Sequence, residues 1–156
     1  VFPKTGSGAR AQIRLPVADE PTERESSAPP QVVTGQAQRR ILVIDDDPLL
    51  LKMVTLTLSE HYVVTGATSG QDAVRELEGG ARFHLILTDV MMPGMTGMQL
   101  FDVIVGRWPD LADRVVFMTG GATLPAIRVF LDNSRRPVLL KPFRVNALRE
   151  FVMEWT

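Results

Sequence analysis

The sequence predicts a doubly wound α/β fold, five parallel strands alternating with five helices. Two observations carry that prediction. Short apolar runs, Ile41-Leu42-Val43-Ile44 and the stretch from Phe83 to Thr88, read as strands buried on both faces. Stretches of helical length separate such runs, as right-handed crossovers in a parallel sheet require. A third observation points to where function sits. Successive runs stop on a chemically loaded residue: Asp45-Asp46, Asp89, Thr119 and Lys141.

The elements follow in order. From Ala9 to Leu15 apolar and polar residues alternate strictly, the pattern of a strand with one wet face. A lone strand is not stable, so its partner sheet is expected elsewhere. Gly6-Ser7-Gly8, this strand and Leu15-Pro16 together resemble the last glycine box and final strand of a histidine-kinase ATP-binding domain. Residues 16–38 carry Pro16, Pro21, Pro29 and Pro30, two serines and many charges, with few apolar groups. Such a composition does not offset ordering entropy and reads as a disordered linker. From Arg39 the regular pattern begins. Strand one is 40–45. Asp47 caps a helix over 48–59 that opens on Pro48 and offers Leu50, Leu51, Val54, Leu56 and Leu58 for burial. His61 to Ala67 is strand two. Ser69-Gly70-Gln71-Asp72 has the form of a capping box, and the helix it opens ends before Gly79-Gly80. Phe83 to Thr88 is strand three. A loop rich in Met, Pro and Gly leads to a helix over 97–107, stopped before Pro109. Arg114 to Met118 is strand four, 123–133 a helix, 138–140 a short strand five and 144–155 the last helix. The chain thus divides into 1–15, a linker over 16–38 and a folded domain over 39–156.

Composition narrows the classes. At 156 residues there is room for one good core. The net charge of −1 offers no basic field for nucleic acid, and Arg39-Arg40 and Arg135-Arg136 read as solvated surface. Without cysteine, disulfides and thiolate metal sites are excluded, which fits a cytoplasmic protein. No apolar run approaches the roughly 20 residues of a membrane span, and no signal-peptide pattern is present. The first residue is Val rather than Met, as in a piece of a longer protein.

In a doubly wound sheet the loaded strand ends converge on one edge, where open α/β sheets bind ligands. Two like charges about 4 Å apart, as in Asp45 and Asp46, repel by roughly 4 kcal/mol at an effective dielectric of about 20. Such a pair calls for a cation, and an all-oxygen donor set suits magnesium better than zinc. Magnesium on Asp46 and Asp89 would neutralise the cluster and template a phosphoryl group. Asp89 would then act as nucleophile and form an aspartyl phosphate. Lys141 would supply positive charge, and Thr119 a hydroxyl, to the phosphoryl oxygens. Lys141-Pro142 suggests a cis bond that sets the approach of the lysine.

Four stretches, Ile41 to Asp47, Leu87 to Gly97, Phe117 to Gly121 and Lys141-Pro142-Phe143, together resemble the receiver domain of two-component response regulators. The resemblance covers residues 39–156. It implies a flavodoxin-like fold with strand order 2-1-3-4-5. It also implies phosphoryl transfer from a phosphohistidine, on a histidine kinase or a histidine phosphotransfer protein, to Asp89. Asp46 and Asp89 would bind Mg2+ directly with the backbone carbonyl of Met91, and Asp45 through a water. Thr119 and Lys141 would hold the phosphoryl oxygens. One position departs from the family pattern: many receivers have an aromatic residue three before the lysine, and here that residue is Val138. A valine performs no large ring rotation, so signalling is expected to run through the loop at 119–123 and the face around the 123–133 helix and the fifth strand.

The order of kinase tail, linker and terminal receiver is that of hybrid sensor histidine kinases, with no output or DNA-binding module expected after Thr156. A stand-alone single-domain regulator is the alternative with the same chemistry, and the coding sequence upstream of Val1 distinguishes them. A second alternative is a phosphatase of the haloacid-dehalogenase kind, with its nucleophile on strand one. Asp45 and Asp47 supply the two aspartates of that pattern, but its threonine is missing, Leu49 standing there. A third is a degenerate receiver used only for binding.

Overall fold

The computed structural model describes residues 39–121 and 124–156. The alternating strand at 9–15, the linker at 16–38 and the start of the helix read from residue 123 lie outside the described residues. The strands are β1 Arg40–Ile44, β2 Val63–Ala67, β3 Leu85–Asp89, β4 Val115–Thr119 and β5 Val138–Leu140. They form one sheet in the order β2-β1-β3-β4-β5, every pair parallel, as the family resemblance implied. The helices are α1 Pro48–Leu58, α2 Gly70–Glu78, α3 Gly97–Arg107, α4 Pro109–Ala112, α5 Pro125–Ser134 and α6 Val145–Trp155.

Strand alternation divides the core into two layers. Leu42, Ile44, Ile86, Val115 and Phe117 face one side and pack with Ala73 and Leu77 of α2, Leu100 and Ile104 of α3, and Ile127 and Leu131 of α5. Ile41, Val43, Leu85, Leu87, Val116 and Met118 face the other and pack with Val54 and Leu58 of α1 and Leu148 and Val152 of α6. Both faces of the central strands are therefore covered, which is why they carry no polar alternation. Phe117 is the hub of the first layer, with ring centroids 5.6 Å from Phe101 and 5.4 Å from Phe130, both edge to face.

The local signals behave as short-range chemistry requires. Asp47 Oδ1 accepts from the Leu49 and Leu50 amides at 2.8 and 3.3 Å, and Pro48 stands at the first helical position. Ser69 caps α2 by accepting from the Asp72 amide at 3.1 Å. Asp72 turns back to the Ser69 and Thr68 hydroxyls, at 2.7 and 3.1 Å. The reciprocal capping box stands instead at Thr96 and Gln99, at the start of α3.

Several boundaries differ from the sequence reading. Strand two starts later than His61, because the His61 and Tyr62 amides both donate to the Leu58 carbonyl and close α1 in a turn. Phe83 lies outside β3, its carbonyl accepting from the Arg114 guanidinium at 2.6 Å. Leu56, read as a core residue, is 63% exposed. It sits two residues, about 200°, round the helix from buried Val54. Pro109 does more than stop α3: it is also the first residue of the extra turn α4. Arg136 is no solvated surface group: it pairs with Asp113 at 2.6 Å and also donates to the Ser134 carbonyl. No helix among the described residues is long and apolar enough to cross a membrane.

Phe117→Ala is expected to destabilise the fold by about 3–5 kcal/mol, since the ring is wholly buried and holds two others edge-on. Urea unfolding measures it. A loss under about 1 kcal/mol would mean that the layer collapses around the gap.

Candidate functional site

The strand order reverses direction at β1 and β3, and the carboxyl ends of those two strands frame a crevice. Ile44 pairs with Thr88, so Asp45 and Asp89 leave the sheet side by side. Both are buried, Asp45 at 1% and Asp89 at 8% exposure. Lys141, just past β5, reaches across both: its Nζ lies 2.6 Å from Asp45 Oδ2 and 2.9 Å from Asp89 Oδ1. The other Asp45 oxygen accepts from the Asp47 amide at 3.0 Å. Thr119, buried at the end of β4, accepts from the Gly121 amide at 3.3 Å on its hydroxyl. Its carbonyl takes the Lys141 amide at 2.7 Å, which aligns the ends of β4 and β5. The Lys141-Pro142 bond is cis, as its sequence suggested.

The structure thus joins Asp45, Asp89 and Lys141 directly. Thr119 is tied to Lys141 through backbone. Asp46 is exposed and accepts no hydrogen bond among the described residues, and Asp89 Oδ2 likewise has no donor there. Val138 packs in the layer of Phe117 and Phe130, with no ring of its own to turn.

One ammonium faces two buried carboxylates with a third nearby, and the titration of the groups reflects that imbalance. Burial pushes the Asp89 carboxyl up from the ordinary aspartate value of 3.8. The hydrogen bond and charge of Lys141 pull it back, while the charges of Asp45 and Asp46 add to the rise. Burial alone would lower Lys141, but its bonds to Asp45 and Asp89 outweigh that and leave it raised. Both partners are raised for different reasons: at Asp89 burial and the neighbouring carboxylates outweigh the pull of Lys141, and at Lys141 the two carboxylates outweigh burial.

The residues fit a hard cation. Among the described residues no three acidic, histidine or cysteine side chains already form a metal cage. Unengaged oxygens of Asp46 and Asp89 and the carbonyl of Met91, which accepts no backbone hydrogen bond among the described residues, are the donor chemistry of an ion that keeps part of its water shell.

Two contacts at the site were not read from sequence. Thr88 Oγ1 donates to the Asp89 carbonyl at 3.1 Å. A Cβ on Gly97 would stand 2.1 Å from that same carbonyl oxygen, so only glycine lets the start of α3 lie against the Asp89 peptide. The signal available was a glycine at the first helical position, where a better helix former costs nothing unless backbone is close.

The model of the response regulator receiver domain matches residues 41–153. The chain belongs to that family. This receiver is 31% identical over 121 residues, 74% of the chain, to two-component response regulator ORR27 of Oryza sativa subsp. japonica, and the match spans 19% of that protein. It is 26% identical over 150 residues, 93% of the chain, to sensor histidine kinase GacS of Pseudomonas protegens, spanning 16% of it. The chain therefore spans less than a fifth of the length of either relative. Among solved structures it resembles a CheY-like receiver domain protein of Methanospirillum hungatei JF-1 with TM-score 0.68 and 28% identity, covering 76% of this chain and 93% of that one.

Two predictions follow from the receiver's geometry. A raised Asp89 means the folded state holds a proton that the unfolded chain has lost, so stability falls as pH rises from 3.8 through the raised value. In chelator at pH 7.5, Asp89→Asn is expected to raise Tm by about 2–8 °C, and the gain is expected to vanish below the ordinary aspartate value. A lower Tm for Asp89→Asn at pH 7.5 would show the Lys141 bond to be net stabilising. Gly97→Ala is expected to cost about 1–3 kcal/mol in urea unfolding. Gly106→Ala, in the same helix with nothing within 4 Å of its Cβ position, is expected to gain about 0.5–1 kcal/mol. Equal effects of the two would refute the backbone clash.

Proposed function

We propose that residues 39–156 accept a phosphoryl group from a phosphohistidine onto Asp89, as the receiver end of a hybrid sensor histidine kinase. The observation that carries this reading is Lys141 Nζ held between Asp45 and Asp89 at the switch point of the sheet. It supports a nucleophilic role for Asp89, whose Oδ2 has no donor among the described residues. Asp89 forms the new O–P bond as the donor's P–N bond breaks, and the imidazole leaves with that electron pair. Lys141 moves its ammonium from the carboxylates toward the incoming phosphoryl oxygens, and the Thr119 hydroxyl donates to another of them. Asp46, Asp89 and the Met91 carbonyl would hold Mg2+, with Asp45 acting through a water; the ion supplies charge that offsets the phosphoryl oxygens.

The hybrid reading rests on two further points. The match to GacS covers more of the chain than residues 39–156 alone occupy. Gly6-Ser7-Gly8 and the alternation over Ala9 to Leu15 supply the kinase-like remnant, with 16–38 as the linker. The partner is then the kinase's own phosphohistidine domain or a histidine phosphotransfer protein, and the site of action cytoplasmic. A phosphatase using Asp45 is disfavoured, because both oxygens of that buried carboxylate are engaged.

Intact mass after incubation with magnesium and acetyl phosphate tests the reading. One added phosphoryl group is expected, dependent on magnesium and absent in Asp89→Asn. Lys141→Met is expected to slow its formation by about 100-fold or more. An adduct that persists in Asp89→Asn would overturn the assignment.

A further inference from the structure

The opposite edge of the sheet holds a cavity of about 370 Å³, where the chain enters β3 and β4. That size is in the range of small-molecule sites and larger than an inorganic anion needs. Arg82, Arg107 and Arg114 line it together with Asp110, and Glu78 adjoins it through Arg107. Trp108, Leu77 and Leu111 supply an apolar side. The three arginines differ in what binds them. Arg114 Nη1 donates to the Phe83 carbonyl at 2.6 Å, and its Nη2 donates to nothing among the described residues. Arg107 Nη2 pairs with Glu78 at 2.8 Å, and its guanidinium carbon sits 4.5 Å from the Trp108 ring centroid. Arg82 is exposed and has no ion pair or side-chain hydrogen bond among the described residues. Structural bonding therefore accounts for only part of this donor set.

We infer that this cavity binds an organic phosphate of mononucleotide size, its phosphate on Arg82 and Arg114 and its ring against the apolar lining of Leu77, Pro109 and Leu111 beside Trp108. Guanidinium forks match phosphate oxygens in pairs, and their charge exceeds that of Asp110. Arg107 already covers one face of the indole, so a flat ring packs on the neighbouring apolar lining, close enough to Trp108 to change its surroundings. The inference stands apart from the phosphoryl chemistry at Asp89, which lies at the other end of the same strands.

The test uses the full chain carrying Trp155→Phe, which leaves Trp108 as the only tryptophan. Its fluorescence is followed during titration with adenosine and guanosine 5′-monophosphate, and with orthophosphate as the ringless arm. A saturable change is expected with at least one nucleotide, which orthophosphate at equal concentration fails to displace. Arg82→Glu, with unchanged circular dichroism and Tm, is expected to weaken binding about ten- to a hundredfold, the loss of one charge-assisted hydrogen bond. No saturable change up to about 10 mM of either nucleotide would overturn the proposal. Equal displacement by orthophosphate would also overturn it, reducing the cavity to a simple anion site. So would full affinity in a folded Arg82→Glu protein.

Discussion

The ammonium of Lys141 between Asp45 and Asp89 is the contact on which the carboxyl edge depends. Two carboxylates that are 1% and 8% exposed have lost most of their water, and desolvation of that kind is costly unless a cation answers it. Lys141 answers both, yet one positive charge does not balance two, and Asp46 adds a third. The residual negative charge is what makes the edge receptive to a further cation. Removing Lys141 would leave two facing carboxylates uncompensated, so the lysine holds this edge of the fold together.

Holding that arrangement requires the backbone to be fixed on both sides of Asp89. The register Ile44 to Thr88 sets the lateral spacing of the two aspartates. Behind Asp89, the Thr88 hydroxyl and the bare Cα of Gly97 meet on its carbonyl, and the Gly97 amide donates to Val90 at 3.0 Å. Helix α3 is thereby docked onto the Asp89 peptide. On the other side, the 2.7 Å bond from the Lys141 amide to Thr119 ties the lysine to the end of β4. The site is built from strand ends and a helix start, which hold geometry better than loops do.

Much of this was legible in the chain. Buried parallel strands announce themselves as apolar runs, and loaded residues at their ends converge for topological reasons, so the sequence alone brings Asp45, Asp89, Thr119 and Lys141 to one edge. What was not legible depends on distances between segments remote in sequence. Nothing in Gly97 names Asp89 as its neighbour, and nothing in Lys141 says that it spans two carboxylates rather than one. Leu56 shows another limit: leucine at helical spacing looks like core until the phase of the helix is set by Val54 and Leu58. Pro109 shows a third, since proline both ends one helix and begins the next.

The two edges of the sheet carry opposite charge for a reason rooted in parallel topology. All five strands run one way, so every strand end lies at one edge and every strand start at the other. Carboxylates collected after β1 and β3 concentrate negative charge at the first. Arg39, Arg40, Arg82 and Arg114 precede or open strands and so concentrate positive charge at the second. Arg40 and Arg114 are partly used there, one lying 5.6 Å from the centroid of the Phe83 ring and the other bonded to the Phe83 carbonyl. Both contacts hold Phe83 at the entry to β3, and the neighbouring Arg82 stays exposed. The same strand polarity that gathers the carboxylates after β1 and β3 at one edge gathers the arginines that precede or open β1, β3 and β4 at the other.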